Sequence, residues 1–94
     1  MSTRSGLQKE VLSLYRRALR IPRSKPQASR ARWNLMLRYT FRTQASRASP
    51  NAFSTIEYLM RTGKRQLDTF ENASIKDCTV SGEMEAWDKT QGRR

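Results

Sequence analysis

A chain of 94 residues can form one small domain, and it is too short for a large catalytic cleft. Histidine is absent and cysteine occurs once, which excludes a histidine general base, a zinc site of the usual ligand sets and an internal disulfide. Nineteen basic residues against 8 acidic residues give a net charge of +11, so we expect a protein that binds an anionic partner and has no catalytic centre, metal or cofactor.

The positive charge is concentrated in the first two thirds of the chain. Residues 1–67 contain 15 basic and 2 acidic residues, whereas residues 68–94 contain 4 basic and 6 acidic residues. No stretch of 18 apolar residues occurs and the first residues lack an apolar signal core, so we expect neither a membrane span nor a secretory signal. An N-terminus rich in arginine and serine is also typical of mitochondrial transit segments, which leaves a mitochondrial matrix address open.

The first predicted helix covers residues 6–21. Its apolar residues recur at spacings of three and four, which is typical of one helix face and not of a strand. Lys9, Arg16 and Arg20 follow the same period on the opposite side and form a basic stripe. Pro22 is expected to end the helix, because a residue that precedes proline avoids the helical conformation. The apolar face consists of Leu7, Val11, Leu14, Tyr15, Ala18 and Leu19.

The second predicted helix covers residues 27–47 and follows a connector with two prolines. Leu35 and Tyr39 lie off its apolar face, and we expect them to face either a partner or a third helix. Phe41 is expected to be a structural core residue. The apolar face consists of Trp33, Met36, Leu37, Thr40 and Phe41.

The third predicted helix covers residues 51–70 and has the most regular apolar seam. Gly63 lies within this seam at a cost of about 1 kcal/mol relative to alanine, so we expect the backbone of another helix to approach it closely. Arg61, Lys64 and Arg65 are expected on the exposed side, where a partner with an acidic surface would neutralise their mutual repulsion. The seam consists of Phe53, Ile56, Met60, Gly63, Leu67 and Phe70.

Beyond the third helix the helical period fades. The predicted fold is therefore an all-α, three-helix antiparallel bundle in residues 1–71, with a largely irregular, flexible or partner-docking tail in residues 72–94. Cys78 is interpreted as an ordinary exposed thiol, because a lone cysteine cannot hold an iron–sulfur cluster. Four apolar residues of the tail are able to dock a short element onto the bundle or onto a partner, namely Ile75, Val80, Met84 and Trp87.

One set of residues resembles a known family. Leu14, Tyr15 and Arg16 spell Leu-Tyr-Arg midway along a basic amphipathic first helix, and Phe41 follows near the end of the second. Together with the Arg-Thr-Gly-Lys-Arg segment at 61–65, these residues resemble the LYR-motif family. The resemblance implies a small three-helix protein of the mitochondrial matrix that assists maturation of the iron–sulfur subunit of succinate dehydrogenase, respiratory complex II.

The resemblance also implies two further partners. One is the J-type co-chaperone of iron–sulfur cluster transfer, and the other is the acyl carrier protein, whose acyl chain enters the bundle in several relatives. An adaptor that binds acylated acyl carrier protein is therefore an alternative function. A chaperone of this kind needs contact area and no catalysis. The residues expected to bind a partner are Lys9, Leu14, Tyr15, Arg16, Arg20, Arg61, Lys64 and Arg65, with Phe41 and Gly63 in structural roles.

Two alternatives stay open for this surface. Core packing alone explains Leu14 and Tyr15, and Arg16 is also compatible with a solvated face. Basic residues interleaved with aromatics are in addition typical of nucleic-acid or ribosome binding. We expect no nucleic-acid partner, because no recognised module is visible and the aromatics mostly fall on the apolar faces.

Overall fold

A computed structural model describes residues 6–47 and 53–91 of the chain. These residues form four α-helices and no strand, which confirms the predicted all-α fold. The predicted start of the third helix at residue 51 and the last residues of the tail, 92–94, lie outside the described part. The helices are α1 (Gly6–Arg20), α2 (Arg30–Arg47), α3 (Phe53–Phe70) and α4 (Gly82–Thr90).

The connector between α1 and α2 contains two short 3-10 helices, Ile21–Ser24 and Gln27–Ser29. α1 ends at Arg20, and Pro22 lies in the first turn of the 3-10 helix that follows, as expected from its fixed backbone angle. Tight turns of this kind reverse the chain within a few residues, so α2 packs back against α1.

The core lies where α1 contacts both α2 and α3. Trp33 and Ala18 are fully buried. The ring of Tyr15 in α1 packs against the ring of Phe41 in α2, with centroids 5.2 Å apart, and Trp33 contacts Phe70 of α3 edge-on at 5.3 Å. The buried core cluster consists of Leu14, Ala18, Ile21, Trp33, Met36, Leu37 and Leu67.

Gly63 lies at the contact between α3 and α1. A Cβ atom added at this position would lie 3.2 Å from Cδ2 of Leu14, which is tighter than an ordinary van der Waals contact. The expectation that another backbone approaches Gly63 is therefore wrong among the described residues, since the close neighbour is a leucine side chain. A branched side chain in α1 fills the space that the missing Cβ leaves.

Residues 71–81 have no regular structure and return along the connector between α1 and α2. The ammonium of Lys25, whose residue is only 4% exposed, donates to the carbonyl oxygens of Asn72 at 3.2 Å and Ile75 at 2.5 Å. Trp33 Nε1 and the Ser29 hydroxyl both donate to the carbonyl oxygen of Lys76, at 3.2 and 2.8 Å. These bonds tie the segment to the bundle at its buried end.

The fourth helix, α4, packs against α2. Ser81 caps it by accepting a hydrogen bond from the backbone N–H of Met84 at 3.1 Å. Of the two alternatives for the tail, docking of a short element onto the bundle is the one seen here. Leu35 and Tyr39, which lie off the apolar face of α2, face this fourth element and not α3.

The helices described here include none that is both long enough and apolar enough to cross a bilayer.

Candidate partner-binding surface

The α1 basic stripe consists of Lys9, Arg16 and Arg20. All three residues are exposed, because the helical period places them away from the buried Leu14 and Ala18. None of the three forms an ion pair within residues 6–47 and 53–91. The stripe is therefore open to an external anion.

The α3 basic cluster consists of Arg61, Lys64 and Arg65, which are also exposed. The described parts of the chain offer these three side chains no ion pair either. Arg61 and Lys64 line a shallow concavity of about 210 Å³ together with Met60, Glu57 and a residue of α1, Glu10. The cluster therefore borders the contact between α1 and α3, beside the helix that carries the stripe.

Tyr58 adds an aromatic ring to this surface. It is the large hydrophobic residue that stands out as exposed in the described part of the chain, at 57%. Arg61 and Arg65 follow it by three and seven residues, so the three side chains share one outer ridge of α3. Sequence reasoning counted Tyr58 among the aromatics of the nucleic-acid alternative and in the segment 56–59 that contributes to the family resemblance, but not among the partner-binding residues. Its position off the apolar seam of α3 is the signal that identifies it.

The Leu-Tyr-Arg tripeptide sends its side chains in three directions. Leu14 is buried against Gly63, Tyr15 is half-buried against Phe41, and Arg16 is exposed. Core packing, one of the two interpretations left open by the sequence, accounts for the positions of Leu14 and Tyr15. Arg16 is the member of the motif whose charge is accessible to a partner.

Three other arginines are paired within the chain, a feature that sequence reasoning missed. Arg17 donates from Nε to one oxygen of Glu71 and from Nη2 to the other, both at 2.8 Å, and its Nη2 also bonds Asp68. Arg32 makes a bidentate pair with Asp77, with both bonds at 2.9 Å. Arg38 Nη2 lies 3.3 Å from Asp88.

The ion pairs shift the ionisation of their members. Hydrogen bonds donated by Arg17 hold the pKa of Glu71 below its ordinary value, and the same bonds, accepted by Glu71 and Asp68, raise the pKa of Arg17. The hydrogen bond from Arg32, with that from the backbone N–H of Cys78, lowers the pKa of Asp77 in the same way.

All four carboxylates in these pairs belong to residues 68–88, and all three arginines belong to α1 or α2. The acidic C-terminal third therefore neutralises three of the arginines of α1 and α2. Within residues 6–47 and 53–91 the α1 basic stripe and the α3 basic cluster form no ion pair with these carboxylates, although the charge of Arg20 also helps to lower the pKa of Glu71.

The single thiol, Cys78, is half-buried against the core, so the interpretation of an exposed thiol is wrong. It is also not activated. Burial, followed by the charge of Asp77, raises the pKa of Cys78 above its ordinary value, which disfavours the thiolate. No group of three or more histidine, cysteine, aspartate or glutamate side chains able to hold a metal ion occurs among the residues that the structure describes. The exposed cations and the ring of Tyr58 are therefore suited to bind an anionic surface.

Comparison with known proteins identifies the family. Residues 9–69 match the family described as "Complex 1 protein (LYR family)". The chain belongs to the LYR family. The matched residues of this LYR protein include the α1 basic stripe, the tripeptide and the α3 basic cluster, whereas α4 lies beyond them.

Several curated relatives share one name, "Succinate dehydrogenase assembly factor 1, mitochondrial". The protein from Schizosaccharomyces pombe is 36% identical over 77 residues, which cover 82% of this LYR protein and 96% of the relative. The protein from Saccharomyces cerevisiae is 34% identical over 71 residues, covering 76% and 89%. The Bos taurus protein is 48% identical over 67 residues, covering 71% of this chain and 52% of the relative. No solved structure matches the chain.

Proposed function

We propose that the protein is a succinate dehydrogenase assembly factor of the mitochondrial matrix that binds the iron–sulfur subunit of that enzyme through a basic surface. The names of the relatives support the enzyme and the mitochondrial location. One structural observation carries the binding mode: six exposed cations, all within the residues matched to the family, form no ion pair with the described residues of the chain. They are Lys9, Arg16, Arg20, Arg61, Lys64 and Arg65.

Charge alone does not give this surface specificity. An exposed ion pair contributes about 0–1 kcal/mol, so the cations chiefly steer an acidic client and set its orientation. Interfaces obtain most of their affinity from a few anchors, among which tyrosine and arginine are enriched. Tyr58, exposed beside Arg61 and Arg65, is suited to be such an anchor.

The proposed action on the client is protection during maturation. A protein that binds a partly folded subunit lowers the concentration of its free, aggregation-prone form by mass action. Cover of this kind shields the cluster-binding surface while the cluster is inserted, and it needs no group that reacts. The J-type co-chaperone of cluster transfer is the proposed second partner, as the family resemblance implies.

The test is a charge reversal with a matched control. Arg16→Glu and Lys64→Glu should each weaken binding to the purified iron–sulfur subunit by about tenfold in calorimetry, with a flatter dependence on salt. Arg23→Glu changes the net charge equally, at an exposed residue of the connector outside the stripe and the cluster, and should weaken binding much less. Equal losses in all three variants would show that only net charge matters and would contradict the proposed surface.

The same preparation separates the alternatives. Purification from mitochondria should recover the iron–sulfur subunit. Recovery of an acidic, phosphopantetheine-modified acyl carrier protein in its place would favour the adaptor function. Salt-sensitive binding of RNA at physiological ionic strength would favour the ribosome or nucleic-acid function.

A further inference from the structure

The outer face of α2, away from α1, is covered by α4. The ring of Trp87 in α4 packs edge-on against Tyr39, with centroids 5.6 Å apart, and the guanidinium of Arg38 lies 5.7 Å from the centre of the Trp87 ring. Asp88 follows Trp87 and pairs with Arg38. Met84, one turn earlier, packs against the edge of the core. The contact thus uses an apolar residue, an aromatic residue three positions later and a carboxylate directly after it.

The face that receives α4 is basic. The α2 sequence contains five arginines and no acidic residue, and two of these arginines, Arg32 and Arg38, line the groove beside α4. An acidic helix is therefore the complementary occupant, and α4, with Glu83 and Glu85 in its first turn and Asp88 in its last, has that character.

α4 fits this face incompletely. None of its nine residues is buried. The Arg38–Asp88 distance of 3.3 Å exceeds the roughly 2.7–2.9 Å of a good charge-assisted hydrogen bond. Nε of Arg38 is buried without a hydrogen-bond acceptor in the described chain, and a groove of about 580 Å³ stays open beside Leu35, Val80 and Glu85.

The segment before α4 is held much more firmly. Lys25, Ser29 and Trp33 bond the backbone of residues 72–76, and Ile75 and Cys78 pack against the core. The firm attachment therefore stops near residue 78, and α4 follows after three residues that make no such bonds to the connector. A helix of nine residues is marginal on its own, and its detachment costs the contact of Met84 with the edge of the core but leaves the hydrogen bonds of residues 72–76 in place.

We propose that the outer face of α2 is a second protein-binding surface, and that α4 is its resident occupant until a partner helix displaces it. The partner is an acidic amphipathic helix that presents an apolar residue, an aromatic residue three positions later and then a carboxylate. A longer helix of this pattern also fills the open groove and supplies an acceptor to Arg38 Nε. The proposal does not depend on the function proposed for the α1 and α3 surface, because it concerns a different face and a helix outside the family match.

The experiment weakens the attachment of α4 in the full chain and adds a separate peptide that can bind the outer face of α2. The probe is a labelled peptide with the sequence of residues 79–91. In the wild-type chain the tethered α4 competes at an effective concentration in the millimolar range, so the peptide binds weakly. Trp87→Ala removes the main anchor of the tethered copy and should strengthen peptide binding by about tenfold, with backbone resonance shifts confined to α2.

Two second-site variants assign the contact. Adding Arg38→Gln to Trp87→Ala should abolish the gain, whereas adding Arg61→Gln on α3 should leave it unchanged. Asp88→Lys is an independent way to release α4, by repulsion from Arg38, if Trp87→Ala disturbs the fold. Peptide binding that is equal in the wild-type and released chains, or that ignores Arg38, overturns the proposal. A dimer that exchanges α4 between copies, seen by light scattering, also overturns it, since the occupant is then a second copy.

Discussion

Gly63 of α3 lies against Leu14 of α1, and this contact limits what position 63 tolerates. Alanine gains up to about 1 kcal/mol of helix propensity, but its methyl group would lie 3.2 Å from Leu14 Cδ2, so we expect a net change within about 1 kcal/mol. Arginine must push its long charged side chain out past α1, which should lower the free energy of unfolding by about 1–3 kcal/mol.

Urea denaturation followed by circular dichroism measures both changes. Gln66→Arg introduces the same side chain at an exposed position of the same helix and should alter stability by less than about 0.5 kcal/mol. Unchanged stability of Gly63→Arg would falsify the packing of Gly63 against α1.

The burial of Lys25 is a feature of the structure that could not be predicted from the sequence. Lysine is almost never fully buried, so a lysine between two prolines is interpreted as a solvated turn residue. Its burial becomes understandable only when the carbonyl oxygens of Asn72 and Ile75, and the ring of Trp33 at 4.6 Å, lie around the ammonium. Those partners are 8 to 50 residues away in the chain, and no local pattern connects them.

At the scale of elements, the helices with a long apolar period were predictable and the short one was not. The apolar seam of α3 repeats over 18 residues, and two of its members, Met60 and Leu67, are buried in the structure. α4 is nine residues long, so its period is too short to stand out from an irregular tail. The exposure of the basic residues of α1 and α3 could be predicted from the same periods. That they form no ion pair with the described residues could not, because it depends on which arginines pair with the carboxylates of the C-terminal third.

The pairing of α1 with the end of α3 predicts a pH dependence. Arg17 holds the pKa of Glu71 below its ordinary value of 4.5, so the folded state binds this proton less readily than the unfolded state. The stabilisation is therefore complete above pH 4.5 and is lost as the pH falls through the lower folded pKa. Arg17→Gln removes this stabilisation, so the fall in Tm between pH 7 and pH 3 should be smaller than in the wild type by about 4 °C.

Arg23→Gln is the matched control, since Arg23 is exposed and makes no ion pair with residues 6–47 or 53–91. Its melting temperature should follow the wild-type pH dependence. If Arg17→Gln follows it as well, the Arg17–Glu71 pair contributes nothing to the acid sensitivity.

On the scale of the whole molecule, the C-terminal third has two parts that differ in their attachment. Residues 71–78 bond to Lys25, Ser29 and Trp33 and close the buried end of the core, whereas α4 lies on the surface. A chain that ends at Ser81 loses three acidic and three basic residues, so its net charge stays at +11 and any change in stability reflects contacts. Because none of the residues of α4 is fully buried, this truncation should lower Tm by only about 5 °C.

A chain that ends at Phe70 should behave very differently. It removes the carbonyl acceptors of Lys25, Ser29 and Trp33 together with the contacts of Ile75 and Cys78 against the core, and each lost hydrogen bond alone contributes about 0.5–1.5 kcal/mol. For a domain of this size that loss corresponds to at least about 10 °C in Tm, measurable by differential scanning calorimetry. The chain that ends at Phe70 lacks everything that the chain ending at Ser81 lacks, and residues 71–81 in addition. The difference between their Tm values therefore measures the contribution of residues 71–81. Equal Tm values for the two chains would mean that this segment adds nothing to the bundle, contrary to the contacts around Lys25.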